Sequence, residues 1–363
     1  LGKFAINAIK KCLETANINL NDVDLIALPG ETYNDLKLRT ENWIKHYWGY
    51  CPKITLVNHQ IAHIASSFFH SGFERAMCLT MDAFGDRLSA ALVLADKEKG
   101  LKVLETRPFS NSLGVFYATM TNFLGFKNMD DFKVMGLAPY GKPKFSKIIK
   151  EKIIFINEDG SFKLNMKYFN YATGLTMTNK KFSNLFGHPV RDPNKDLLED
   201  FHMDIASSIQ AVTEEVVLRL TRNIANEYKI NNLCLAGGVA LNCVANGKIL
   251  KEKIFKDIWI QPAAGDAGGS LGAALAYWHH ELKKPRKDYK DQMNGAYLGP
   301  KFDEKIIEKK LNELNGNYNK KTSNEISIIV AKELSNSKTV GWFQGRMEFG
   351  PRALGGRSIL ADP

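Results

Sequence analysis

Apolar and polar positions alternate along the chain in two periods, one typical of helices and one typical of strands. Residues 1–20 carry apolar side chains at helical spacing, which predicts an amphipathic helix, and the run DLIALPG that follows predicts a buried strand. The segments RAMCLTMDAFGD, RLSAALVLAD and LKVLETRPF predict an antiparallel meander of three strands, with tight turns at Gly85-Asp86 and at 97–100. Strands and helices in this order predict an α/β fold.

The second half of the chain repeats one local pattern, in which a strand ends in glycines and leads into a helix. A long helix, HMDIASSIQAVTEEVVLRLTRNIANEY, precedes two such units, NNLCLAGGVALNCVANGKIL and KDIWIQPAAGDAGGSLGAALAYWHH. Residues 142–195 are polar, aromatic and weakly periodic, and we interpret them as an insertion or lid. The charged, turn-rich stretch ELKKPRKDYKDQMNG predicts a boundary between a domain over 1–290 and a second domain over 295–363.

Composition narrows the class of protein. Of the 363 residues, 44% are hydrophobic and 24% are charged, as in soluble globular proteins. No apolar run reaches the roughly 20 residues that span a bilayer. The formal net charge of +10 comes from lysines spread over many helices, so we interpret it as a solvated surface and predict neither a nucleic-acid partner nor a membrane partner. Acidic phosphate ligands are the alternative explanation of this charge.

The cysteines indicate where the protein is located, and the two chain ends indicate whether the sequence is a fragment. The five cysteines are odd in number and form no CxxC motif, which is typical of a reducing cytosol and predicts a cytoplasmic protein without a cysteine zinc site. The chain opens on Leu1 without a secretory signal and stops at Pro363 without a terminating pattern. We therefore expect a fragment of a longer protein.

The strongest chemical signal is the pair His59-x-x-x-His63, a short way upstream of Asp82. Residues at i and i+4 share one face of a helix, and the predicted strand that carries Asp82 ends beside that face. Two imidazoles and one carboxylate with open coordination positions form a typical site for a divalent metal. Taken alone, such a histidine pair is more often a structural feature of an amphipathic helix.

Glycine turns at the ends of two predicted strands form a second candidate site. Gly237 and Gly238 let the backbone approach a ligand, and the helix that follows offers free amides to an anion. Paired glycines also serve simply to turn the chain, so both interpretations stay open. Asp266 precedes a similar turn, where it either caps the next helix or points into the same cleft as Asp82.

A glycine-bracketed, arginine-rich stretch, 345–358, follows the last predicted strand. Arg346, Arg352 and Arg357 lie within it, with Ser358 at its end. Guanidinium groups pair bidentately with phosphate or carboxylate, and glycine keeps the backbone open for such a ligand. The stretch therefore predicts an anion site rather than a solvated basic surface.

Six segments of the chain together resemble one protein family: VNHQIAHIASSFF, TMDAFGD, DDFKVMGLAPYG, LAGGVALN, PAAGDAGGSLGAAL and GRMEFGPRALGGRSILADP. They are similar to segments of the O-carbamoyltransferases of nodulation and antibiotic biosynthesis. The resemblance runs over nearly the whole chain, and the last segment is highly specific to the family. The histidine pair and AGGVALN are shared more widely, including with tRNA threonylcarbamoyl-transferring enzymes.

The resemblance implies a fold and a reaction. Family members have a two-lobed, ribonuclease H-like domain of the actin-like ATPase (ASKHA) type, followed by a YrdC-like α/β domain. The YrdC-like domain is understood to join carbamoyl phosphate with ATP, which gives carbamoyl-adenylate and pyrophosphate. The actin-like domain then transfers the carbamoyl group to the hydroxyl of a small-molecule acceptor, a sugar or secondary metabolite, and releases AMP. This transfer uses a bound divalent metal, which is Fe²⁺ in the family.

The resemblance also assigns site residues. The metal ligands, the first three of them also catalytic, would be His59, His63, Asp82 and Asp266. The nucleotide would be held by Gly237, Gly238 and Asn242, with Gly268 and Gly269 nearby. The carbamoyl phosphate and ATP site would include Arg346, Arg352, Arg357 and Ser358. By the same resemblance, the first phosphate loop lies upstream of Leu1, and 295–363 is the N-terminal part of a truncated YrdC-like domain.

Two other classes of function fit an actin-like fold. The first is an ATP-dependent phosphotransferase or a tRNA threonylcarbamoyl-transferase-like enzyme, and the second is a non-catalytic nucleotide-binding or scaffold protein. The arginine-rich stretch 345–358 argues against the first class. The presence of all four ligand residues argues against the second.

Overall fold

The computed structural model describes residues 5–286, 290, 291 and 293–362. Leu1, Pro363 and part of the predicted boundary segment 281–295 lie outside the described residues. Internal contacts divide the chain into two compact units, of which the larger is 20–290 and the smaller combines 1–19 with 291–363. The domain division proposed from the sequence, 1–290 and 295–363, stays a prediction.

Helices and strands alternate through the larger unit, which confirms the α/β class. Within the described residues, the helices are α1 (Ile6–Ala16), α2 (Leu36–Trp48), α3 (His59–Phe68), α4 (Leu113–Phe123), α5 (Asp131–Leu137), α6 (Ser146–Lys152), α7 (Lys180–Phe186), α8 (Asp200–Tyr228), α9 (Cys243–Glu252), α10 (Gly269–Leu275), α11 (Glu304–Glu313) and α12 (Ser323–Ser335). The strands are β1 (Leu25–Pro29), β2 (Lys53–Val57), β3 (Arg75–Gly85), β4 (Leu88–Asp96), β5 (Gly100–Pro108), β6 (Ile154–Ile156), β7 (Phe162–Leu164), β8 (Asn232–Ala236), β9 (Asp257–Ile260), β10 (Val340–Phe343) and β11 (Arg357–Leu360). In this part of the chain, no helix combines the length and the apolar character that crossing a membrane requires.

The larger unit is built on a five-stranded sheet with the order β5-β4-β3-β8-β9. The predicted β3-β4-β5 meander is antiparallel, and β8 and β9 run parallel to β3. Residues 76–82 of the central strand β3 are all buried, as expected for a near-continuous apolar run. Because Thr80 lies opposite Ala236 in the parallel register, the carboxyl ends of β3 and β8 meet at one edge of the sheet. Ligands of open α/β sheets bind at such an edge.

Helices cover both faces of the five-stranded sheet. On one face, α4 and α8 bury Phe116 and Ile209 in a large core that they share with β3 and β8. On the other face, α3 buries Ile64 and Phe68 in a second core with β3, β4 and β8. Helix α3 packs against β3, and its first residue, His59, lies beside Asp82 near the carboxyl end of that strand.

Helix α10 packs closely on α3 through small side chains. Ala62 and Ala65 of α3 share a core with Ala273 of α10. At Gly272 the approach is closer still, because a Cβ atom there would overlap the carbonyl oxygen of Ala62. A glycine is therefore required at this helix crossing.

Strands β1 and β2 form a separate parallel pair, with Leu25 opposite Lys53 and Pro29 opposite Val57. Helix α2 connects the two strands, and α10 packs against β1. The loop 30–33 follows β1 and carries Gly30, whose φ of +137° is open to glycine and strained for other residues. This loop reaches the turn between β3 and β4.

The segment 142–195, interpreted from the sequence as an insertion or lid, contains α6, the hairpin β6-β7 and α7. Its apolar side chains Ile149, Leu164, Phe182 and Phe186 are buried in the core beneath α8. The segment is thus packed as part of the larger unit, and its motion as a lid stays a prediction.

The smaller unit contains α1, α11, α12 and the antiparallel pair β10-β11, in which Phe343 lies opposite Arg357. The first turn of α11 is capped by the Asp303 carboxylate, which accepts the Ile306 N–H. The YrdC-like identity of this part of the chain stays a prediction.

Candidate metal centre

The four side chains predicted as metal ligands converge at the carboxyl edge of the sheet. Helix α3 supplies His59 and His63, β3 supplies Asp82, and the loop after β9 supplies Asp266. One potential ligand atom from each residue lies within 4.8 Å of all the others. The structure therefore brings together residues that are far apart in sequence, as the metal-site hypothesis requires.

Helix α3 begins at His59 because Asn58 caps it. The Asn58 side chain accepts hydrogen bonds from the backbone N–H groups of Gln60 and Ile61, at 3.1 and 3.2 Å. His59 and His63 are then one turn apart on the same face, with ring centroids 4.6 Å from each other.

The spacing of the ligand atoms suits one ion. The His59 Nε2 atom lies 3.0 Å from both Asp82 Oδ2 and His63 Nε2. Asp266 Oδ1 lies 3.5 Å from His59 Nε2 and 3.6 Å from His63 Nε2. Ligand atoms bound at about 2.1 Å around a common ion are separated by about 3.0–3.4 Å. Two imidazole nitrogens with two carboxylate oxygens are a donor set for a divalent transition metal, so the residues present fit such an ion.

The centre is closed on one side and open on the other. His59, His63 and Asp82 are buried, whereas the Asp266 side chain is 76% exposed. The second ring nitrogen of His63, Nδ1, is buried and has no hydrogen-bond partner among the described residues. Polar interactions of the His63 ring within this region therefore pass through Nε2, which faces the centre.

The neighbouring carboxylates favour the protonated form of the His63 ring. Burial works against a charged His63 ring, but hydrogen bonds to Asp266 and Asp82 outweigh burial and raise the pKa of His63 to about 9. Burial likewise raises the pKa of Asp82, but hydrogen bonds from His59, His63 and the Gly238 N–H outweigh it and hold that pKa far below the ordinary range. At neutral pH the cluster without metal thus holds a cationic imidazole beside an ionised carboxylate.

This protonation predicts a pH-dependent affinity for metal. A cation that binds His63 Nε2 must displace the proton, so its apparent affinity should rise about tenfold per pH unit and level off near the His63 pKa of about 9. Calorimetric titration with Zn²⁺ in two buffers of different ionisation enthalpy measures the protons released, and about one proton per ion is expected at neutral pH. An affinity that does not change between mildly acidic and mildly alkaline pH would contradict this assignment.

The glycine turn after β8 orients Asp82. Gly237 has a φ of +87°, and a Cβ atom there would overlap the carbonyl oxygen of Met81. The next residue, Gly238, donates its backbone N–H to Asp82 Oδ1 at 3.1 Å. This bond leaves Oδ2 of Asp82 turned toward the two histidines. The role of the two glycines in nucleotide binding stays a prediction.

Asn242, predicted to hold a nucleotide, makes internal hydrogen bonds with both polar atoms of its side chain. Its Oδ1 accepts the backbone N–H of Ala245 and an N–H of Gln210, and its Nδ2 donates to Gln210 Oε1 at 3.0 Å. The Tyr117 hydroxyl donates to the same Gln210 oxygen. In this conformation the Asn242 amide supports the turn, and its contact with a nucleotide stays a prediction.

The alternative role of Asp266 as a helix cap is wrong. Gly268 is the N-cap of α10, and Asp266 lies two residues before it, in a short 3₁₀ turn without a side-chain cap. A Cβ atom on Gly268 would overlap the Ala263 carbonyl oxygen, and one on Gly269 would lie 3.2 Å from Pro29 Cγ. These two glycines allow close packing here, and their proximity to a nucleotide stays a prediction.

The arginine-rich loop lies in the smaller unit and is organised by Glu348. Its carboxylate accepts the backbone N–H groups of Leu354, Gly356 and Arg357, which lowers the pKa of Glu348 to about 2. The sequence gives no sign of this role for Glu348, because its partners are backbone groups that no residue type reveals.

The predicted anion-binding side chains of this loop are partly engaged with the protein itself. The Arg357 guanidinium donates to the carbonyl oxygens of Gln344 and Gly356 and lies 3.4 Å from the centroid of the Phe343 ring. Arg346 donates to the Gly299 carbonyl, and Ser358 Oγ accepts the Gly355 N–H. Arg352 lies in the same loop. Phosphate binding by these residues stays a prediction.

Comparison with known proteins identifies the family. Residues 11–275 match the protein-family model described as Carbamoyltransferase N-terminus, and residues 331–363 match that described as Carbamoyltransferase C-terminus. The chain belongs to the carbamoyltransferase family. This confirms the resemblance found in the sequence.

The curated relatives of the chain include nodulation proteins. The chain is 33% identical to nodulation protein NolNO of Sinorhizobium fredii, over 99% of the chain and 54% of the relative. It is 36% identical to NolO of Bradyrhizobium diazoefficiens, over 85% of the chain and 53% of the relative. An uncharacterized protein of Synechocystis is 50% identical over 86% of the chain and 51% of the relative. The chain thus spans about half the length of these relatives.

Solved structures show weaker similarity. Component A of (R)-2-hydroxyglutaryl-CoA dehydratase from Acidaminococcus fermentans is 15% identical, with a TM-score of 0.43 over 78% of the chain and 87% of that protein. HypF of T. kodakarensis is 15% identical, with a TM-score of 0.40 over 76% of the chain and 43% of that protein. These scores are too low to support an argument, so the two-lobed actin-like arrangement stays a prediction.

Proposed function

We propose that the protein is an O-carbamoyltransferase that moves the carbamoyl group of carbamoyl-adenylate to a hydroxyl of a small-molecule acceptor. The observation that carries this proposal is the convergence of two imidazoles and two carboxylates at the carboxyl edge of the sheet, in a chain of the carbamoyltransferase family. A divalent cation held by a cluster of this composition would suit the transfer of a group from an acyl phosphate, because such a reaction develops negative charge on oxygen.

The proposed reaction has two steps. Carbamoyl phosphate, ATP and water first give carbamoyl-adenylate, pyrophosphate and orthophosphate. The acceptor oxygen then bonds to the carbamoyl carbon, the bond from this carbon to the AMP phosphate oxygen breaks, and the hydroxyl proton is released. Since AMP is already a good leaving group, the transfer needs no covalent intermediate with an enzyme nucleophile.

In this proposal His59, His63, Asp82 and Asp266 hold a divalent cation, which is Fe²⁺ by resemblance to the family. When bound, the cation supplies positive charge for phosphate oxygens and for the carbonyl oxygen. The buried His59, His63 and Asp82 exclude water from one side, so the substrate approaches past the exposed Asp266. The Gly238 N–H keeps Asp82 turned toward the centre.

The finer parts of the proposal rest on the resemblance. We assign the nucleotide to the turns that contain Gly237 and Gly238, whose backbone lies beside Asp82. We assign carbamoyl phosphate and ATP to the loop 345–358, where Arg357 contacts substrate only if it leaves the carbonyl oxygens it now binds. The actin-like and YrdC-like domain types, the sugar or secondary-metabolite acceptor, and the cytoplasmic location belong to the same proposal.

The test follows the fate of ATP in the full-length protein. We expect carbamoyl phosphate to be required for exchange of labelled pyrophosphate into ATP, because adenylate formation is reversible and needs no acceptor. With an acceptor present, AMP and pyrophosphate should accumulate, and the acceptor should gain one carbamoyl group by mass. Formation of ADP with a phosphorylated acceptor would instead establish a phosphotransferase and would exclude the carbamoyl transfer proposed here.

A further inference from the structure

The connection between β3 and β4 contacts His59 at two points, its backbone N–H and its ring. It contains Gly85 and Asp86 and lies three to four residues beyond Asp82 on the same hairpin. Asp86 is 6% exposed and has a φ of +50°, a left-handed conformation that aspartate tolerates better than most residues. A buried carboxylate at a turn needs a structural reason, because most turn side chains are solvated.

The Asp86 carboxylate ties together three segments of the chain. Its Oδ2 accepts the backbone N–H of His59 at 2.7 Å and that of Glu31 at 3.0 Å. Its Oδ1 accepts the backbone N–H of Thr32 at 2.8 Å and the Thr32 hydroxyl at 3.1 Å. The β3–β4 turn, the first residue of α3 and the loop after β1 are therefore joined through one charged acceptor.

Gly85 contacts the imidazole ring of His59. A Cβ atom at Gly85 would overlap the Cγ, Cδ2 and Nε2 atoms of the His59 ring. The imidazole thus packs directly on the Gly85 backbone, with Nε2 3.0 Å from Asp82 Oδ2. Gly85 does not have a left-handed φ, so its lack of a side chain is needed for space alone.

We propose that Gly85 and Asp86 are positioning residues for His59, with Asp86 fixing its backbone and Gly85 its ring. This inference rests on the metal centre of the proposed function. Asn58 caps the next two N–H groups of α3 independently. Loss of Asp86 should therefore release His59 and the loop 30–32 while the rest of α3 stays helical and packed.

The structure also offers a matched control in the next hairpin turn. Asp96, at the end of β4, accepts the backbone N–H groups of Glu98 and Lys99 at 2.9 and 3.2 Å. Like Asp86, it is an aspartate that closes a turn through backbone amides, but these two bonds go to Glu98 and Lys99 and not to any of the four proposed metal ligands. Asp96→Ala removes a turn carboxylate without touching the centre.

The experiment titrates the full-length protein with Co²⁺, whose visible absorption reports both affinity and ligand geometry. We expect Asp86→Ala to weaken Co²⁺ binding by about tenfold to a hundredfold, the range measured for groups that orient metal ligands. Asp86→Asn keeps the volume and one oxygen acceptor, so its affinity should lie between those of Asp86→Ala and the native protein. Asp96→Ala should bind within about twofold of the native protein, since its backbone bonds lie elsewhere.

Gly85→Ala provides a second variant that keeps the carboxylate. We expect it to displace the His59 ring, and hence to change the Co²⁺ spectrum as well as the affinity. A crystal structure of the metal-free variant should show the His59 imidazole moved away from Asp82.

Native-like affinity and spectrum in both Asp86→Ala and Gly85→Ala would overturn the inference, as would an equal loss in Asp96→Ala or a native protein that binds no Co²⁺. Failure of carbamoyl transfer in a protein that binds Co²⁺ normally would overturn the proposed function alone.

Discussion

His63→Ala is expected to leave the purified protein without stoichiometric metal. The His63 side chain is 1% exposed, and its Nε2 lies within 3.6 Å of ligand atoms from His59, Asp82 and Asp266. Alanine removes one of four ligands and leaves a buried gap, into which no neighbouring donor is placed within the described residues. Because indirect supports of metal ligands already contribute about tenfold to a hundredfold in affinity, loss of a direct ligand should cost more.

Elemental analysis after purification in metal-supplemented medium measures this effect as ions per chain. His46→Ala is the matched control, because His46 is an exposed histidine on α2 that belongs to no cluster of metal ligands in the described chain. Metal content that is equal in the native protein and in His63→Ala would remove the assignment of the centre.

Gly272→Ala is expected to destabilise the larger unit strongly. A Cβ atom at this position would overlap the Ala62 carbonyl oxygen, and backbone cannot rotate away as a side-chain end can. Relief requires α10 and α3 to separate, which should lower the free energy of unfolding by about 1–3 kcal/mol or more. Since α3 carries both histidines, the affinity for metal should fall as well.

Urea unfolding followed by circular dichroism measures the change in stability. Gly247→Ala is the control, because Gly247 lies inside helix α9 and a Cβ atom there would meet no atom within 4 Å. This control should gain about 0.5–1 kcal/mol from the higher helix propensity of alanine. Equal changes in the free energy of unfolding for Gly272→Ala and Gly247→Ala would show that the close α3–α10 contact does not limit the side chain at Gly272.

Local spacing was enough to predict that His59, His63 and Asp82 lie close together. The interval between His59 and His63 defines a helical face, and the apolar run before Asp82 defines a buried strand. Both elements are present in the structure as α3 and β3. For Asp266 the residues left two roles open, a helix cap or a carboxylate in the same cleft as Asp82, because the register that brings β9 beside β8 and β3 is set by contacts between distant segments.

The remaining features depend on partners that residue types do not reveal. Asp86 accepts hydrogen bonds from backbone amides of His59, Glu31 and Thr32, and any residue except proline offers such an amide. Asn242 was assigned to the nucleotide by family resemblance alone, and the pairing of its amide with Gln210 on α8 joins two segments that are distant in sequence. Periodicity could not anticipate either arrangement.

The same limit explains the segment 142–195. Its core side chains, such as Leu164 and Phe182, come from short elements of three to seven residues. Elements this short complete at most two helical turns or three strand positions, so no period becomes visible in the sequence. Weak periodicity here reflects short elements around a real core.

The placement of Asp266 has a consequence for biosynthesis. His59, His63 and Asp82 have all been synthesised once Asp82 has left the ribosome. Asp266 lies in a loop almost two hundred residues further along the chain, and this loop follows β9, which pairs with β8. A growing polypeptide therefore presents only three of the four potential donors until the loop after β9 has been synthesised. In the metal site proposed above, coordination by all four side chains therefore requires a chain in which β3, β8 and β9 have paired.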